Sequence, residues 1–159
     1  MKYIGEHLLP GQLGYFFLVL SFVASLVATW SYVRSTQAVS PDDASSWKRI
    51  ARGAFILEAF SVVAVFVLIY YIIYSHYFEY YYAWNHSDRS LSTKYLLSSI
   101  WEGQEGSFLL WSFWHCVLGL ILMRTARQWE APVMSVISFA QLSLATMIIG
   151  VYVFNFKIG

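Results

Sequence analysis

The chain has 159 residues, enough for one domain, and a formal net charge of +1. Charged residues make up 12% of it, about half of the roughly 25% usual in soluble globular chains, which excludes a conventional soluble surface. No cluster of Lys and Arg with interleaved aromatics marks a nucleic-acid face, and the single cysteine, Cys116, excludes a disulfide framework or a thiol-based metal site within the chain.

Tyr, Phe and Trp supply 19% of the residues, many of them at the ends of apolar runs, where membrane interfaces concentrate aromatic side chains. The expected class is an all-α, polytopic integral membrane protein, a single membrane domain over residues 1–159. A spanning helix takes about 20 apolar residues, and four stretches qualify, at about 11–33, 52–76, 107–124 and 131–154. The first is led by "MKYIGEHLLPGQLG". Glu6, His7 and Pro10 interrupt the short basic start of a secretory signal, and the apolar run is too long for one, so a retained first helix is expected.

After Arg34 comes "STQAVSPDDASS", polar, with a Ser-Pro-Asp-Asp turn and no apolar period, which predicts a connecting loop. In the second span, Glu58 lies six residues beyond Arg52, about 9 Å along a helix axis. An acid at such a depth is a candidate functional group or needs a polar partner on a neighbouring helix. The six-residue spacing does not place it on one helix face with Arg52.

Residues 77–106 follow as a polar segment unusually rich in aromatics, expected to lie along the membrane surface. The third span carries His115, a polar side chain expected to face protein. Arg34, Lys48, Arg49, Arg52, Arg124 and Arg127 fall on one side of this topology, and Lys2, Arg89, Lys94 and Lys157 on the other. The bias places both termini and the 77–106 segment outside the cytoplasm.

The segment "YYYAWNHSDRSLSTKYLLSSIWEGQEGSFLLW", residues 80–111, carries a specific pattern. Tyr82, His86, Ser87, Leu91, Tyr95, Trp101, Glu105, Gly106, Ser107, Leu109, Leu110 and Trp111 match, in type and spacing, a motif run near the N-terminus of the CcmF/CcsA/NrfE-type cytochrome c assembly family. The chain resembles that haem lyase family, tightly over 80–111 and loosely over most of its length. Asp88, Ser92, Leu96 and Gln104 depart from the pattern, as in a divergent branch. The family's tryptophan-rich haem-handling motif and its haem-ligating histidines do not occur here, so the resemblance implies the N-terminal portion of a longer protein.

Trp84, His86, Trp101, Glu102, Glu105 and Trp111 are the candidate outer-face surface for haem or a partner. Interface anchoring explains the tryptophans equally well, and "EGS" at 105–107 also suits a plain helix entry. The histidines His7, His76, His86 and His115 are scattered, and none has metal-ligand spacing with another, so no metal site is assigned and catalytic residues stay open. The resemblance implies haem as cofactor, with ligands outside this segment, and apocytochrome c and other cytochrome c maturation proteins as partners, beside the lipid bilayer. It also implies location in a bacterial inner membrane. The expected function is participation in attaching haem vinyl groups to apocytochrome thiols on the outer face, by a segment not catalytically complete alone. The alternative is a non-enzymatic scaffold that docks maturation partners. A transporter subunit is the least favoured reading, because intramembrane polar residues beyond Glu58, His115 and Gln141 are few.

Overall fold

The computed structural model describes residues 8–75, 77 and 104–154, and the side chains of all of these except 104, 105 and 151–154. Four long helices account for almost all of them: α1 (Leu8–Gln37), α2 (Pro41–Tyr74), α3 (Gln104–Thr125) and α4 (Glu130–Phe154). All four contain stretches long and apolar enough to cross a membrane, and no strand occurs among the described residues. The protein is all-α and multi-pass.

The packing is that of a protein dissolved in lipid. Besides Pro10 and Leu18, the buried positions on α1 are Ser21, Ala24, Ser25, Ala28, Ser31, Tyr32 and Ser35, a seam at three- and four-residue spacing made largely of side chains small enough for close backbone approach. The large hydrophobic side chains exposed on the same helix include Phe16, Val19, Val23, Leu26, Val27 and Trp30. Bulk faces outward and small polar residues face inward, the reverse of a water-soluble helix, because lipid tails are as apolar as any core and reward no burial of leucine.

α1 packs on α2 and α4, and α3 on α4 and α2, so the helices follow one another around a four-membered ring. One apolar core joins Ala28 and Tyr32 of α1, Ala51 and Phe55 of α2, and Ala131 and Met134 of α4. A second joins Ala59, Val62 and Val65 of α2 to Leu109 and Cys116 of α3. Gly119 allows the close approach between the two. A Cβ there would sit 2.6 Å from Phe55 Cε1 and 3.2 Å from Met134 Cε.

The connection between α1 and α2 corrects the expectation of a loop over 35–46. α1 runs to Gln37 and α2 starts at Pro41, leaving only Ala38–Ser40 outside a helix. The Ser-Pro-Asp-Asp sequence is a helix start rather than a turn. Ser40 stands at the N-cap with extended backbone, Pro41 follows where its missing N–H costs nothing, and Asp42 and Asp43 sit where helix N–H groups favour negative charge. Ala44 N–H donates to Ser40 O at 3.0 Å. Ser35 Oγ donates across to Ala44 O at 2.9 Å, and the Arg34 guanidinium lies 5.7 Å from the Trp47 ring centre. α3 and α4 are joined as tightly, by Ala126 and the 3₁₀ turn Arg127–Trp129, with Arg127 at a positive φ of 47°.

Candidate functional site

Two polar layers interrupt the apolar interior. The first lies at the end of the bundle where the short connections are. Glu130 opens α4, and Arg52 reaches it from α2 in a fork: Nε donates to Oε1 and Nη2 to Oε2, both at 2.6 Å. The Glu130 side chain is 2% exposed and that of Arg52 47%. The arginine stem thus spans from the interface to a buried carboxylate, which also benefits from the free N–H groups of the first turn of α4. Tyr32 of α1 is within electrostatic reach of both, and its hydroxyl is buried without a hydrogen-bond partner.

The second layer lies deeper and joins α2, α3 and α4. Gln141 Nε2 donates to the Ser112 main-chain carbonyl at 3.1 Å and to Cys116 Sγ at 2.9 Å. Glu58 comes from α2, within electrostatic reach of Gln141 and Cys116. Glu58 and Gln141 are each 1% exposed. Glu58 Oε2, Gln141 Oε1, Ser138 Oγ and His115 Nδ1 are buried and have no hydrogen-bond partner, four of the five such side-chain atoms among the described residues.

Of the sequence-predicted surface, Trp84, His86, Trp101 and Glu102 lie outside the described residues, and so does the side chain of Glu105. Glu105, Gly106 and Ser107 fall in the first turn of α3, so "EGS" does form a helix entry. Trp111 is 60% exposed on α3, facing outward beside Trp114. His115 is half-buried.

Sequence reasoning named Glu58 and Gln141 as intramembrane polar residues without bringing them together, and it missed the Arg52–Glu130 pair altogether. A signal for that pair existed: each is a charge at the edge of an apolar span, and the topology puts both edges on one side. Among the described residues no group of three or more His, Cys, Asp or Glu side chains is placed to hold a metal ion. His115 is the one described histidine, so they offer no axial pair of imidazoles for haem. Cys116 is buried and accepts a hydrogen bond from Gln141, which removes it as an accessible thiol.

No protein-family model and no curated protein sequence matches the chain. A search of solved structures gives a match of a different order, covering 93% of this chain with a TM-score of 0.79 at 19% sequence identity. The fold is that of the cytochrome c heme lyase CcmF. The chain spans 25% of the CcmF chain.

Proposed function

We propose that this chain is a membrane component of c-type cytochrome biogenesis, framing the outer face of a haem lyase-type assembly protein. The fold likeness to CcmF carries this reading. It has a second support in the motif run of residues 82–111. In this reading the chain crosses a bacterial inner membrane with residues 77–106 outside, as the Lys and Arg balance favours.

Haem, when bound, supplies the vinyl groups that add to the thiols of an apocytochrome. In this reading the work of the described residues is architectural. The α2–α3–α4 packing fixes where α3 begins, and Trp101, Glu102 and Glu105 of the candidate outer surface lie at or just before that start in sequence. Trp84 and His86 belong to the same outer surface, and maturation proteins and apocytochrome c are the partners that meet it.

The test is replacement of Trp101 or Glu105 by Ala in cells that make c-type cytochromes. Membrane levels of the protein should stay near normal while covalent haem in the cytochromes falls. Loss of the protein itself on Trp101→Ala would make the tryptophan an anchor and remove this role. Orientation is checked by cysteine labelling in intact cells: Asp88→Cys should react with a membrane-impermeant reagent and Asp43→Cys should not.

A further inference from the structure

We propose that the cleft between the end of α1 and the start of α2 binds the phosphoethanolamine headgroup of a phospholipid, with Arg34 on its phosphate and Asp43 on its ammonium. The inference stands apart from the family reading and rests on this cleft and on the helix face that leads into it.

The cleft has a volume of about 270 Å³ and is lined by Arg34 and Gln37 of α1, Ala38 and Val39 of the connection, and Asp43 and Trp47 of α2. It is sized for a headgroup, just under the range of about 300–1,000 Å³ for small-molecule sites. Only Ala38–Ser40 separate the two helices, and the hydrogen bond from Ser35 Oγ to Ala44 O holds their ends side by side. The Arg34 guanidinium lies 5.7 Å from the Trp47 ring centre, a contact that steadies it and leaves the N–H donors at its rim free.

Two opposite charges therefore line one cleft without meeting, since the only ion pair among the described residues is Arg52–Glu130. A zwitterion with a short linker satisfies both. Its phosphate accepts from the guanidinium, a charge-assisted bond that arginine forms well, and its primary ammonium donates to the Asp43 carboxylate. A simple anion would meet repulsion from Asp43. A quaternary ammonium cannot donate and depends on an aromatic face, and Arg34 already occupies that of Trp47.

The approach to the cleft points to a lipid rather than a soluble zwitterion. Phe16, Val19, Val23, Leu26 and Trp30 are exposed on α1 at three- and four-residue intervals, so they form one outward stripe. The same spacing continues to Arg34 and then to Gln37. Acyl chains lying along the stripe bring their headgroup to the cleft.

The test is native mass spectrometry of the whole protein released from nanodiscs that hold equal amounts of phosphatidylethanolamine, phosphatidylcholine and phosphatidylglycerol with matched chains. Phosphatidylethanolamine should be retained several-fold over the other two. Arg34→Gln should abolish the retention, and Asp43→Asn should shift it toward phosphatidylglycerol. Both side chains are exposed, so helicity by circular dichroism should stay unchanged. If Asp43→Asn fails to fold, Arg34→Gln decides alone. Equal retention of all three lipids, a wild-type preference for phosphatidylglycerol, or a preference that survives Arg34→Gln would overturn the site. Soluble phosphoethanolamine that displaces the lipid at equal concentration would overturn the lipid as its source.

Discussion

Two glutamates in this bundle are almost equally hidden, and they are accommodated by opposite means. Glu130 meets a guanidinium that matches both its oxygens, whereas Glu58 is buried with its Oε2 bonded to no partner. The difference follows from depth. Near the connections, a long arginine can keep part of itself in the interface and still reach inward. Deeper in, a cation would have to leave water entirely, and a neutral partner is the less costly solution. One layer is an ion pair anchored at the boundary, and the other is an amide junction between α3 and α4.

The largest effect should come from breaking the boundary pair. Arg52→Ala leaves the Glu130 carboxylate buried and alone, a change that costs about 3 kcal/mol for such pairs. A drop of that size in unfolding free energy in detergent is expected, with Glu130→Gln also destabilising. By contrast, Glu58→Gln should be close to neutral, and equal losses for the two Gln variants would erase the distinction drawn here.

Gly119→Ala acts between the layers. The added methyl meets the Phe55 ring, and overpacking of this kind costs about 1–3 kcal/mol. Phe55→Leu in the same chain should restore part of the loss, which a double-mutant cycle measures. Gln141→Leu should cost less, about 1 kcal/mol, the upper range of interhelical hydrogen bonds in membranes. Smallest of all is Trp111→Leu, on the outward face of α3, expected to stay within about 0.5 kcal/mol. A large loss there would mean that the face is covered in the working protein.

The four spans were legible in the sequence because apolar length alone announces them, independently of how the helices pack. The start of α2 was not. Asp42 and Asp43 look like loop residues when polarity is the guide, and like a first helical turn only when Ser40 and Pro41 are weighed with them. The site was half legible. Glu58 stood out because an acid in an apolar run is conspicuous, but Gln141 lies on another helix, and with helices apolar on every side no periodicity tells which faces meet. Arg52 and Glu130, 78 residues apart, could be paired only by topology. For the surface of Trp84, His86, Trp101 and Glu102 the resemblance remains the guide.

The length of α2 has a mechanical consequence. Its 34 residues at about 1.5 Å each make a rod of about 51 Å, against a hydrocarbon thickness of about 30 Å. Even at a tilt of about 20°, some turns must project past the lipid tails, and the charged turns around Asp42, Asp43, Lys48 and Arg49 are suited to do so. The rod is continuous from there to Glu58. A partner that pushes on the projecting turns therefore moves a lever whose other arm ends among α3 and α4, with no loop in between to absorb the stroke.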